Sequence, residues 1–157
     1  MATHHYGTSL AWVGSTGLGY EAYDRTHSLQ VAPGTSLTAS ADPAFRGAPD
    51  LTNPEALLLA AASSCQCLSF LALAARARLD VTAYSDDATA RMPEDDPPTR
   101  ITDITLRPRI TIRRGDADES TVRAKVDRLV GLAHEECFIA RTLKARIHLD
   151  PRLQWAD

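Results

Sequence analysis

Residues 52–79 read TNPEALLLAAASSCQCLSFLALAARARL, and the rest of the chain is arranged around them. Asn53 suits an N-cap, Pro54 suits the first helical position, and Glu55 complements the positive end of the helix dipole. Behind them Leu57, Ala61, Cys65, Leu68, Ala72, Ala75 and Leu79 recur at steps of three and four, close to the ~3.6-residue period of a helix. Arg76 and Arg78 lie near the C-terminal end, where positive charge is favoured. The spacing predicts a helix over 53–79. Its side chains are mostly small and apolar, so it is expected at the centre of the fold with that stripe facing inward.

Working outward, residues 5–32 carry β-formers such as Tyr6, Trp12, Val13 and Val31, punctuated by a turn at Gly14-Ser15-Thr16-Gly17. Residues 33–52, with three prolines and two glycines, are expected as a long loop. Residues 80–92 predict a strand, and 93–98 (PEDDPP) a solvated loop. Ile104, Leu106, Ile110 and Ile112 alternate with polar residues as a half-exposed strand, with Pro108 marking an edge or a bulge. A second helix over 120–136 carries the stripe Val122, Val126, Leu129, Val130, Ala133. A last strand over 144–150 precedes Pro151. Strands and helices are segregated, so the expected class is α+β with antiparallel sheets around a long central helix, in one domain over 1–157.

The composition narrows the function. Of the 157 residues 44% are hydrophobic and 24% charged, the balance of a soluble globular protein, and the net charge is −3. That gives no electrostatic case for nucleic acid or an anionic membrane. No apolar run is expected to approach the roughly 20 residues that span a bilayer. The start MATHHYGTSLAWVG lacks the pattern of a signal peptide, so a cytoplasmic location is expected, where thiols stay reduced. An odd cysteine count in that setting argues against a structural disulfide framework.

The three cysteines are Cys65, Cys67 and Cys137. Cys65 lies on the apolar stripe and, taken alone, reads as a small hydrophobe. Cys67 points about 200° away around the helix, so the two cannot bond within it. With no CxxC or HxxxH pair to complete a tetrahedral site, no metal is expected. Cys137 precedes Phe138-Ile139-Ala140-Arg141. A helix starting there would place its thiol at a helix N-terminus, which favours thiolate, while a packed helix-end cysteine is the equal alternative. A cysteine that attacks peroxide needs a cation to hold its sulfur anionic and a second thiol to capture the sulfenic acid. Arg46 and Glu55 are candidates for the cation and for the carboxylate that fixes it. Composition alone favours a solvated loop arginine and a helix-start charge.

Two motifs carry a family resemblance. Asn53-Pro54-Glu55-Ala56-Leu57 leads to Cys65 twelve residues after the asparagine, and Ala133-His134-Glu135-Glu136-Cys137 is followed by Arg141-Thr142-Leu143-Lys144. With the matching order of elements, the chain resembles the OsmC/Ohr family of osmotically inducible and organic hydroperoxide resistance proteins, in a divergent OsmC-like branch. The resemblance implies a peroxidatic Cys65, a resolving Cys137, Glu55 as the carboxylate that orients an arginine, and Arg46 as that arginine. Cys67 matches no catalytic position. Phe138 stands where the family usually has proline. The resemblance also implies an intertwined homodimer with shared sites, an external dithiol reductant of lipoyl type, and chemistry without a cofactor. Glu55 and Cys65 lie about 15 Å apart along one helix, so a partner helix packed antiparallel is the expected source of the arginine and carboxylate. The rivals are an OsmC-like module that binds an apolar small molecule without catalysis, and a thiol redox sensor.

Overall fold

The computed structural model describes residues 2–95 and 97–156. The chain forms two compact units, Met1–Leu58 and Leu59–Asp157. The loop expected over 93–98 includes Asp96, which lies outside the described residues.

In the first unit β1 (Ser9–Ala11), β2 (His27–Ala32) and β3 (Thr35–Ala39) form an antiparallel sheet in that order. β3 occupies part of the stretch expected as loop. It alternates Thr35, Leu37 and Ala39 with Ser36 and Thr38, and Gly34, at φ 74°, makes the tight turn that lets it pair with β2. A short 3-10 turn, Pro43–Phe45, follows. The carboxylate of Asp42 caps it by accepting from the Ala44 N–H at 2.8 Å and takes the Asn53 amide at 3.3 Å. The Asn53 side chain in turn accepts from the Ala56 N–H at 2.8 Å, the cap that the sequence predicts. These residues open α1 (Pro54–Arg76).

The second unit holds two three-stranded sheets. Three strand segments break midway, and each half joins a different sheet: β4 (Val81–Asp86) and β5 (Thr89–Arg91), β6 (Asp103–Leu106) and β7 (Pro108–Ile112), β8 (Arg146–Leu149) and β9 (Arg152–Trp155). The sheet orders are β4-β7-β9 and β5-β6-β8. The pairs β6·β8 and β7·β9 are parallel, which corrects the expectation of antiparallel sheets. The chain reaches β8 from β7 through α2 (Glu119–Glu136) and α3 (Phe138–Thr142), and a crossover of that kind allows parallel pairing.

The breaks have a local cause. Pro108 lacks an N–H for the ladder, and at the break the Arg107 N–H donates to the Asp86 carboxylate at 2.6 Å. The same carboxylate accepts from the Ser63 hydroxyl at 2.5 Å. Replacing Asp86 with alanine leaves both donors unanswered. Urea unfolding should show a loss of about 1–3 kcal/mol for Asp86→Ala, with Asp86→Asn losing less because it keeps an acceptor. Equal stability in all three proteins would remove Asp86 from this role.

α2 buries the predicted stripe of Val122, Val126, Leu129, Val130 and Ala133. α1 does not bury the stripe expected of it. Its buried row is Ala62, Gln66, Phe70 and Ala74, one position round the helix, while Leu68, Ala72 and Ala75 are exposed. Phe70 and Ala74 pack with Ile110, Ile112 and the α2 stripe, and Ala62 packs with Ile104 and Leu106. Gln66 donates to the Val130 carbonyl at 3.1 Å. By length and composition alone α1 could cross a membrane, with mean hydropathy 1.9 over its most apolar window, which corrects the expectation that no apolar run comes near that length. Only 17% of that window is buried, so the helix is far less enclosed than its composition predicts.

Candidate active site

Cys65 lies in the middle of α1 on its outward side, and Ser69 stands one helical turn further on. Cys137 ends α2 and caps α3: its backbone is extended, and its sulfur accepts from the Ala140 N–H at 3.4 Å. The fold of the second unit brings these two sulfurs, 72 residues apart in the chain, near enough for each thiol to act on the ionisation of the other.

The two thiols differ in character. Burial acts to raise the Cys65 pKa. Against it, the nearby Cys137 thiol, the N–H groups of Ile139 and Phe138, and the Ser69 hydroxyl favour the anion, and together they hold the Cys65 pKa below the ordinary thiol value. Cys137 moves the other way, to about 11, first through burial and then through the hydrogen bond and negative charge of Cys65, despite the N–H groups of Ala140 and Ile139. The first turn of α3 therefore serves Cys65 as well as its own cap. Of the two readings left open for Cys137, the raised pKa favours the packed helix-end cysteine over a thiolate. Cys67 lies on another side of α1, half-buried. Burial, and then the negative charge of Asp86, push its pKa up, as suits an inert structural thiol.

This asymmetry can be read directly. Iodoacetamide should alkylate Cys65 ahead of Cys137 and Cys67, and its rate at Cys65 should persist below the pH at which a free thiol loses reactivity, because thiolate is the reacting form. Cys137→Ala removes a donor and should shift that profile to higher pH, slowing Cys65 labelling several-fold near neutrality, while Cys137→Ser keeps a donor and retains more of it. A profile unmoved by Cys137→Ala would mean that Cys137 does not tune Cys65.

Cys65 opens onto a cavity of about 720 Å³. Ala61, Leu68, Ala72 and Arg76 of α1 line one side, and Glu136, Phe138, Ile139 and Arg141 the other. Leu68 and Phe138 are 65% and 77% exposed, so the mouth is apolar and open.

The remaining predicted residues belong to the first unit. Arg46 closes the Pro43–Phe45 turn in the left-handed region, at φ 64°. Its guanidinium pairs with the carboxylate of Glu21. The pairing expected between Arg46 and Glu55 is absent among the described residues. Glu55 sits in the first turn of α1, where it answers the helix dipole. Sequence reasoning missed Glu21, Ser69 and the N–H groups at the start of α3. Ser69 was within reach, being four residues after Cys65 on a predicted helix. Glu21 lies 25 residues from Arg46 with no periodic signal linking the two. Among the described residues no cluster of His, Cys, Asp or Glu could hold a metal ion.

Residues 47–152 match the family of OsmC-like proteins. The chain belongs to that family and has its α+β fold. Cys65, Cys137 and Glu55 fall inside the matched span, and Arg46 falls one residue before it. An OsmC-like protein of unknown function from Vibrio cholerae is 26% identical, with a TM-score of 0.83 over 95% of this chain and 99% of that one. An OsmC-like protein from Mycoplasma pneumoniae is 14% identical, with a TM-score of 0.71 over 97% and 99%. An organic hydroperoxide resistance protein from Elizabethkingia anophelis is 16% identical, with a TM-score of 0.66 over 99% and 100%. No curated protein matches the chain.

Proposed function

We propose that this protein is a thiol peroxidase that reduces organic hydroperoxides. The observation that carries the reading is that Cys65 of α1, which lines an open cavity, and Cys137 at the α2–α3 junction lie near one another, with the Cys65 pKa lowered and the Cys137 pKa raised. The Cys65 thiolate attacks one peroxide oxygen and becomes a sulfenic acid as the O–O bond breaks, and the departing alkoxide takes a proton to become an alcohol. The nearby Cys137 thiol then attacks the sulfenic sulfur, releasing water and closing a disulfide. An external dithiol, lipoyl-type by family analogy, reduces that disulfide by exchange through a mixed intermediate. No cofactor enters the cycle, and a reducing compartment such as the cytoplasm would keep the resting thiols reduced.

Arg46 and Glu55 complete the reading in a homodimer. A second copy would supply Arg46 to the sulfur and developing alkoxide, with Glu55 positioning it, and Arg46 would exchange Glu21 for these partners. The surface left uncovered supports a second copy: Leu68 and Phe138 at the Cys65 cavity, Leu71 elsewhere on α1, and Tyr6, Leu10, Val13 and Leu18 in the first unit are all exposed.

The test is consumption of cumene hydroperoxide with a dithiol as reductant, together with mass spectrometry after one equivalent of peroxide. The expected result is steady turnover and a Cys65–Cys137 linkage. Linkage without turnover would point to a redox sensor. Thiols left intact by peroxide would reduce the protein to a binding module.

A further inference from the structure

The outer face of the β5-β6-β8 sheet carries a cluster that the thiol site does not use. Ile104 and Ile147 turn inward and pack with Ala62, so their neighbours on each strand turn outward. The register then sets two rows across the three strands: Arg91, Asp103 and Arg146, and beside it Thr89, Thr105 and His148. Strands lie about 5 Å apart and alternate residues about 7 Å apart, so the six side chains rise from a plate of about 10 by 7 Å. They line a cavity of about 340 Å³.

Asp103 lies between two arginines and is answered from one side only. Its Oδ1 takes Arg146 Nη2 at 3.1 Å and His148 Nε2 at 3.2 Å. Arg91 stands directly opposite in the ladder, yet among the described residues its guanidinium has neither an ion pair nor a hydrogen bond. The carboxylate is also the sunken member, 18% exposed against 77% for Arg146, so an anion arriving from solvent meets the cations first. The Thr102 hydroxyl, then His148 and Arg146, hold the Asp103 carboxyl below the usual carboxylate range, so its charge persists and keeps Arg146 and His148 in place. Two arginines against one carboxylate leave a surplus of one positive charge, and a protonated His148 makes it two, on a chain whose net charge is −3. The Thr89 hydroxyl accepts from Arg107 Nη1 at 3.0 Å, which leaves its O–H to donate outward.

We infer that this face binds a phosphoryl group. A phosphate monoester carries close to two negative charges near neutral pH and three terminal acceptor oxygens. Those oxygens can take the forks of Arg91 and Arg146 and a threonine O–H at once, each fork offering two parallel N–H donors. A carboxylate has only two oxygens and satisfies one fork. Arg91 is the decisive member, because its donors are unspent, while Arg146 bridges Asp103 and the phosphoryl oxygens. None of these residues belongs to the thiol chemistry, so the inference stands apart from the peroxidase reading.

The test titrates the full chain with inorganic phosphate and with glycerol 2-phosphate, at constant ionic strength with chloride as the balancing anion. Calorimetry reads affinity, and NMR follows the arginine Nε–Hε resonances. Binding should saturate, with the Arg91 and Arg146 resonances moving and that of Arg123, exposed on α2, staying still. Arg91→Gln should weaken binding by about tenfold or more, the worth of one charge-assisted contact. Arg91→Lys keeps the charge but loses the fork and should weaken it several-fold, while Arg123→Gln should leave it unchanged. Tighter binding of glycerol 2-phosphate identifies the ligand as a phosphorylated small molecule; equal or weaker binding identifies it as free phosphate. Shifts that grow without saturating, or an affinity lowered as much by Arg123→Gln as by Arg91→Gln, overturn the inference. The wild-type spectra decide the matter even where a variant fails to fold.

Discussion

Cys65→Ser should lower dithiol-dependent hydroperoxide reduction by at least about a thousandfold while leaving the fold intact. A serine hydroxyl keeps the shape of the site but is not ionised near neutral pH, and the donors that stabilise a thiolate have no anion to act on. The environment already favours the anion: Cys137, Ile139, Phe138 and Ser69 all act to lower the Cys65 pKa. The substitution removes the nucleophile from a site tuned for one, so its effect should fall on kcat and kcat/KM together. The residual rate should resemble that of Cys137 and Cys67 alone, which is small because both thiols are pushed up rather than down. Circular dichroism of the variant guards against a trivial loss of fold. Activity within tenfold of wild type would remove Cys65 from the chemistry.

Gly47→Ala should destabilise the protein by about 3 kcal/mol or more, one of the largest effects open to a single methyl group. A Cβ at Gly47 would lie 1.6 Å from the carbonyl oxygen of Ala41 and 2.2 Å from its carbon. The obstacle is backbone on both sides, so no rotamer change relieves it. The backbone cannot easily retreat either. The Gly47 N–H donates to the Asp42 carbonyl at 3.0 Å, the Arg46 N–H to Pro43 at 3.0 Å, and the Ser40 hydroxyl accepts from Ala48 at 3.1 Å. For a chain of this size the loss corresponds to roughly 6–12 °C in Tm. Gly115→Ala is the control, since nothing lies within 4 Å of a Cβ there and its effect should stay within about 0.5 kcal/mol. Equal Tm values for the two variants would mean that the turn opens freely. Because Arg46 is the residue next to Gly47, the same substitution tests whether the placement of Arg46 depends on this close approach.

The sequence carried the start of α1 almost completely. Asn53, Pro54 and Glu55 are local signals, and the Asn53 cap forms as their chemistry requires. The stripe of α2 was equally legible, because polar residues separate its apolar ones. The buried row of α1 was not. A helix apolar on every side offers no contrast by which to tell its faces, and the row that packs inward even includes a glutamine. Parallel pairing was hidden too, since a strand's own residues record alternation and not the direction of its neighbour. At the site, spacing and resemblance singled out Cys65 and Cys137, but which sulfur takes the thiolate depends on N–H groups from the turn after Cys137. Glu21 entered only through the folded loop that carries Arg46 to it.

The parallel strands bear on when the reactive pair comes into being. β6 and β8 join Asp103 to Arg146 across 43 residues, and Cys137 lies in the stretch between them. Closing so long a span costs entropy before any contact rewards it, so this pairing belongs to the slow part of folding. A nascent chain that has made α1 but not yet placed its end has Cys65 without its donors, and hence as an ordinary, sluggish thiol. On the proposed reading, the reactivity of Cys65 would be withheld until the last strands are laid down.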